Sequence, residues 1–360
     1  MGKMMTIRKT VLSDNFRGGG VTPNESNLIK GLATIMMVYH HFFGWPNRIL
    51  IPDAFNIIQV HGINLTSFLA QSCKLCVCLF AFLSGYGLFY SYCKTEKRDA
   101  RRYCLNKIVK LLVIYWSILL VACVFMRLNN KELDVETILA NIILIKTNIL
   151  HTSWYVRFYL EAMLALLAYQ MSIKKKCIWK ELCGTLFLQG IAYIVNPLNT
   201  FTHYFPVFML GYIFAKYKLY EKLYSCIHNM LVFVFSLVAL LALMLIRIKV
   251  GDSIGPFAII TVIAPVLTLV IRDAVDFVRR IKALDSLIMF ICKYSTYYWL
   301  LHSLVHCGIA SIQKIVYLPF YTVLIVVWAF ILMTPIVVLL KKCDDALLSF
   351  FHEEILRKNK

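Results

Sequence analysis

Two adjacent histidines, His40 and His41, lie near the end of an apolar stretch running from Leu28 to Trp45, with Lys30 near its start. Two more, His302 and His306, occupy a second apolar stretch far along the chain. With a reference pKa of about 6.5, imidazole is neutral and able to take a proton near neutral pH. It suits deprotonation of a hydroxyl, or transient covalent carriage of a group. A lone histidine on an apolar helix is often hydrogen-bonded packing. A pair, with a third in another apolar segment, points to a functional site. Lys30 and His41 are eleven residues apart, close to three helical turns and about 16 Å along the axis. They share one helix face, and His40 points about 100° away from it.

The elements carrying these residues are apolar. Of 360 residues, 60% are hydrophobic and 16% charged, with mean hydropathy +0.71, whereas an ordinary globular chain is about a quarter charged. This is the composition of an all-α integral membrane protein. Runs of about 20 apolar residues can cross a hydrocarbon core roughly 30 Å thick. They fall at 28–45, 66–92, 108–126, 153–171, 178–196, 203–216, 229–248, 254–271, 287–312 and 319–340. A bundle of about ten transmembrane helices is predicted. Residues 137–150, interrupted by Asn141, Lys146 and Asn148, read as interfacial or re-entrant.

Lysine and arginine concentrate in alternate loops: the N-terminal arm, Lys94 to Lys110, Lys174 to Lys180, Lys216 to Lys222, Arg272 to Lys282 and the tail from Lys341. The positive-inside rule therefore places both termini in the cytoplasm. Residues 1–27 read as a flexible cytoplasmic arm without a cleavable signal, 28–340 as the membrane domain and 341–360 as a cytoplasmic tail. The net charge of +19 follows from this loop bias and from anionic membrane lipids, and does not indicate nucleic-acid binding. Cys73, Cys76 and Cys78 have a metal-like spacing, but a helix turns Cys78 away from the other two and no histidine is near, so no metal site is expected.

Further polar residues interrupt the apolar runs. Ser84, Gly85 and Gly87 permit close helix approach. Lys107 and Lys110 share a helix face behind Arg101 and Arg102 and can present charge to phosphate. His151-Thr-Ser-Trp154-Tyr155 precedes Arg157 and Glu161, whose i, i+4 spacing suits a compensating ion pair. Lys293, Ser295, Tyr297, Tyr298, His302 and His306 make 287–312 the most polar span after the first.

Taken in order, these motifs resemble the membrane-bound acyltransferase 3 family. Its first span carries a basic residue, ten residues and then a histidine, as Lys30 and His41 do, with Gly31-Leu-Ala33 following the basic residue. Phe82-Leu-Ser84-Gly-Tyr86, Lys107-x2-Lys110-Leu-Leu-Val-Ile-Tyr-Trp116 and Ser295-Thr-Tyr-Tyr298-Trp-Leu-Leu-His302 are similar to three further family elements. Lys30, Lys107 and Lys110 stand where arginine is usual, giving point charges without the bidentate fork, and Val113 stands where proline is common. The resemblance implies O-acylation: an acyl group, most often acetyl, passes from cytoplasmic acetyl-CoA or another acyl-CoA to a hydroxyl of a glycan or lipid-linked sugar. It implies a bacterial plasma membrane, and glycan-assembly proteins as partners.

On that reading His41 is the base, oriented by His302 or Glu161, or is itself transiently acylated. Lys30, Arg101, Arg102, Lys107 and Lys110 meet the CoA phosphates. His40, Ser84, Trp154, Tyr155, Arg157, Ser295 and Tyr298 support the substrates. The competing class is a proton-coupled transporter or a flippase for a polyprenyl-linked sugar or anionic solute, to which buried His, Arg and Glu are equally natural. The halves show no obvious inverted repeat, and the ordered motifs favour the enzyme. A membrane scaffold leaves the buried histidines unexplained.

Overall fold

The computed structural model describes residues 20–60, 63–94, 100–172, 177–195, 200–226, 229–250 and 255–358. Its first five helices are α1 (Pro23–Phe43), α2 (Leu65–Cys73), α3 (Cys76–Lys94), α4 (Ala100–Leu128) and α5 (Val135–Ile142). Five more follow as α6 (Trp154–Ser172), α7 (Ile178–Val195), α8 (Thr200–Lys216), α9 (Leu219–Cys226) and α10 (Asn229–Val250). The last five are α11 (Gly255–Arg280), α12 (Lys282–Lys293), α13 (Ser295–Leu301), α14 (Ala310–Val316) and α15 (Thr322–Lys358). Short 3-10 turns lie at Pro46–Arg48, His151–Ser153 and His302–His306. Apart from a hairpin of two residues per strand, with Gln59 opposite Asn64, the regular structure is helical, as expected.

The chain forms two units. Unit one takes residues 1–30, 77–104 and 161–287. There Thr22 caps α1 through a reciprocal pair: Thr22 N–H donates to Glu25 Oε2 at 2.6 Å, and Glu25 N–H to Thr22 Oγ1 at 3.2 Å. With Pro23 at the first helical position, this is a capping box that satisfies donors with no intrahelical partner. The Val21 N–H donates to the Tyr86 hydroxyl at 3.1 Å. Helices α3 and α8 approach so closely that a side chain on Gly85 would strike the Phe208 carbonyl, and one on Gly211 the Phe82 carbonyl. Gly87 faces open space, so of the expected small-residue contacts Gly85 makes one and Gly87 none. Helix α8 is continuous through Pro206.

Unit two takes residues 31–76, 105–160 and 288–360. Its core includes Val38, Phe42, Tyr115, Ile118, Val156, Leu300 and Ile325. Asn141, fully buried, organises the polar interruption after α5: its Nδ2 donates to the Thr137 carbonyl and to Asn148 Oδ1, and its Oδ1 accepts from the Ile149 N–H. The asparagines that broke the apolar run are thus internally satisfied, and they deliver the chain to His151.

Among the described residues four helical stretches are long and apolar enough to cross a membrane: Leu65–Ser91, Tyr103–Leu128, Ile178–Val195 and Thr322–Phe350. A fifth is reached if Leu219–Cys226 and Met230–Leu243, bent by 118°, form one span. Their exposed sides are apolar, with Leu120, Leu128, Phe187 and Ile194 more than half exposed, as lipid-facing surfaces require. These helices identify a membrane protein, but the expected ten spans do not appear as ten long helices. The predicted span 287–312, for example, is divided into α12, α13, the His302–His306 turn and the start of α14. Within the predicted span 66–92, Lys74 caps α2 at the break before α3.

Candidate active site

Four histidines meet near the end of α1 in unit two. His40 is buried, and its Nδ1 donates to the Ala70 carbonyl at 2.7 Å. That bond ties α1 to α2 and turns the ring off the His41 face. The His41 ring lies 4.9 Å from that of His302 and 6.1 Å from that of His306, centroid to centroid. The spacing on α1 thus separates the two neighbours into different tasks, as the helical angle required.

His302 is fully buried in the 3-10 turn after α13. Its Nδ1 donates to the Tyr298 carbonyl at 3.1 Å. In the neutral ring this leaves Nε2 with a lone pair, and that atom is buried without a hydrogen-bond partner. His306, one turn on, is also buried, and neither ring nitrogen makes a hydrogen bond. Phe42 packs near both rings, at 6.5 and 6.4 Å, and Tyr317 anchors it by donating to the Phe42 carbonyl at 2.9 Å. Buried imidazole nitrogens without partners are uncommon and costly. Here they belong to rings packed beside a third imidazole, His41, and a neutral imidazole nitrogen of this kind can accept a proton.

The rim is built from two short turns. Arg48 follows Trp45 and lies over its ring at 4.9 Å. His151 opens the other turn, which Thr152 pins by donating to the Trp299 carbonyl at 3.4 Å. Partial desolvation, and then the Arg48 guanidinium, push the His151 imidazole below its usual range. Tyr155 stands edge-on to Trp299 at 4.8 Å, with Trp154 beside it.

Among the predicted site residues, His41 and His302 are brought together, with His40, Trp154 and Tyr155 in the same unit. Ser295 opens α13, and the Tyr298 hydroxyl shares a hydrogen bond with Thr334 at 2.7 Å, so Tyr298 reaches the cluster through its carbonyl. Glu161 and Ser84 belong to unit one, whereas Arg157, four residues before Glu161 on α6, belongs to unit two. Lys30 lies on α1 in unit one; Lys107 and Lys110 lie on α4 in unit two, Lys110 exposed. The side chains of Arg101 and Arg102 lie outside the described residues.

The sequence marked His306 as a polar residue of its span but gave it no role, although its i, i+4 relation to His302 was the available signal. Sequence reasoning passed over Asp344, buried in α15, which accepts from Ser117 and Tyr297 hydroxyls at 2.5 and 2.9 Å. No local signal marked that residue. Among the described residues no three His, Cys, Asp or Glu side chains are grouped to hold a metal ion.

A family model described as an acyltransferase domain, Acyl_transf_3, matches residues 24–342, which include the whole imidazole cluster. No curated protein and no solved structure matches the chain.

Proposed function

The chain belongs to the acyltransferase 3 family and is a membrane acyltransferase, and from that premise we propose that it transfers an acyl group, most often acetyl, from cytoplasmic acyl-CoA to a hydroxyl of a glycan or lipid-linked sugar. The observation that carries this reading is His41 set against two buried imidazoles with unpartnered nitrogens. His41 takes the proton of the acceptor hydroxyl as its oxygen attacks the thioester carbon. The new C–O bond forms, the C–S bond breaks, and CoA leaves as a thiolate that His41 can reprotonate. His302, its Nδ1–H fixed on a carbonyl, packs its ring 4.9 Å from that of His41 and positions it, the task a third group performs in nucleophile–base arrangements.

Lys30, Lys107, Lys110, Arg101 and Arg102 supply positive charge for the CoA phosphates. The topology that goes with this reading is about ten spans, some of them broken helices, with both termini cytoplasmic in a bacterial plasma membrane.

The test is incorporation of label from radioactive acetyl-CoA into glycan or lipid-linked sugar, using membranes that carry the wild type or His41→Ala, with host extract as acceptor. Label that requires both the protein and His41 supports the reading. If neither form transfers label, and acetyl-CoA does not stabilise the purified protein, the reading fails and solute uptake becomes the assay.

A further inference from the structure

The Pro46–Arg48 turn that follows α1 is held by a side chain from far along the chain as well as by its own backbone. Gln313 of α14 is fully buried, and its single side chain makes three bonds. Its Oε1 accepts from the Leu50 N–H at 2.6 Å, and its Nε2 donates to the Arg48 carbonyl at 3.0 Å and to the Val305 carbonyl at 2.8 Å. Within the turn, Arg48 N–H donates to the Trp45 carbonyl and Ile49 N–H to the Pro46 carbonyl, both at 3.0 Å. Arg48 is therefore held in register with the residue that precedes His306.

Its guanidinium is exposed and lies over Trp45, which is 38% exposed. No carboxylate among the described residues forms a salt bridge with it, although Arg272 and Lys216 elsewhere are so paired. The Trp45 ring under it lies 6.1 Å from that of His40 in the imidazole cluster, and Gln313 joins the Arg48 carbonyl to that of Val305, the neighbour of His306. An arginine pre-positioned beside a base, with its donors free of an acidic side chain, presents a fork suited to an oxyanion. The cation–π contact with Trp45 favours a position of the guanidinium over that ring, and His151, also exposed, carries a further N–H donor.

Resting on the acyl-transfer reading, we infer that Arg48, with Trp45 and His151, binds an anionic group of the acceptor, a sugar carboxylate or a sugar-linked phosphate, and so selects acidic over neutral glycans. Arg48 is then a specificity-determining residue, and the oxyanion stands near the hydroxyl that His41 deprotonates.

Three probe pairs test this with labelled acetyl-CoA: oligogalacturonate against its carboxyl-reduced form, a polyprenyl-phosphate-linked sugar against the free sugar, and vesicles with anionic against neutral phospholipid. The first two pairs separate carboxylate from phosphate. The wild type is expected to favour one charged acceptor in kcat/KM. Arg48→Gln is expected to shrink that preference about 10- to 100-fold, as loss of a charged hydrogen bond does, mainly through KM. Arg48→Lys is expected to restore part of it.

A readout independent of turnover is the thermal shift that the charged sugar produces in purified protein, which Arg48→Gln should lose. The inference is overturned if charged and neutral acceptors lose kcat/KM by the same factor, if the thermal shift survives in Arg48→Gln, or if only anionic vesicles produce it. A shift that depends on Arg48, in a protein that transfers no label, would retain the anion site and overturn the transferase reading instead.

Discussion

In unit one the buried Glu181 carboxylate meets the Lys216 ammonium, and Arg272 donates to Asp273 Oδ1 from two nitrogens at 3.0 and 2.7 Å while lying over Tyr224 at 4.2 Å. In unit two the buried polar groups beside the end of α1 are imidazoles, and His302 Nε2 and both nitrogens of His306 have no hydrogen-bond partner, whereas in unit one Glu181 leaves only Oε2 without a partner and binds Lys216 through Oε1. A charge removed from water is tolerated when an opposite charge accompanies it, and the Glu181–Lys216 pair ties α7 to α8. A neutral ring left unsatisfied gives the fold nothing and costs about 1–3 kcal/mol for each orphaned group. Arrangements of the second kind persist where a substrate supplies the missing partner. The contrast assigns structural work to the ion pairs and chemistry to the histidines.

That contrast can be broken or sharpened by substitution. The largest effect is expected from His41→Ala: transfer should fall by about 10²- to 10⁴-fold, the usual contribution of a general base, with protein level and stabilisation by acetyl-CoA unchanged. A variant that loses acetyl-CoA stabilisation as well would make His41 a packing residue and erase the distinction. Next is Lys216→Met, which strands the Glu181 carboxylate and should cost about 3–5 kcal/mol in unfolding of detergent-solubilised protein. Adding Glu181→Leu should recover most of that loss, with transfer per folded molecule retained. Failure of the double variant to recover would give the pair a role beyond stability.

Gly85→Ala should cost about 1–3 kcal/mol, because the new methyl group meets the Phe208 carbonyl and the helices must separate. A thermal unfolding midpoint unchanged from wild type would show that the approach of α3 and α8 is looser than it is drawn. The smallest effect is expected for His40→Asn, which removes a 2.7 Å bond to Ala70 and should cost about 1 kcal/mol of stability while labelled transfer continues. A fall in transfer matching that of His41→Ala would place both adjacent rings in the chemistry.

Much of the site was legible because it is local. The eleven residues from Lys30 to His41 fall on one helix face whatever surrounds them, and the angle between consecutive residues already separated His40 from His41. The small residue Gly85 was legible as a close approach, since only the absence of a side chain permits backbone contact. Span boundaries were less legible. Hydropathy averages over a window and does not register the interruptions at Lys74 and Tyr294, where capping and turn geometry decide.

By itself, then, the sequence determined an apolar all-helical membrane chain, the face shared by Lys30 and His41, and an ordered set of motifs that resembles one enzyme family. Only the tertiary structure decided which far-off ring His41 meets, that His306 joins His302 beside it, and that Gln313 clamps Arg48 at the rim. The physical reason is separation along the chain. Helical periodicity relates residues a few positions apart, whereas contacts such as His41 with His302 depend on how whole helices pack, which no local pattern encodes.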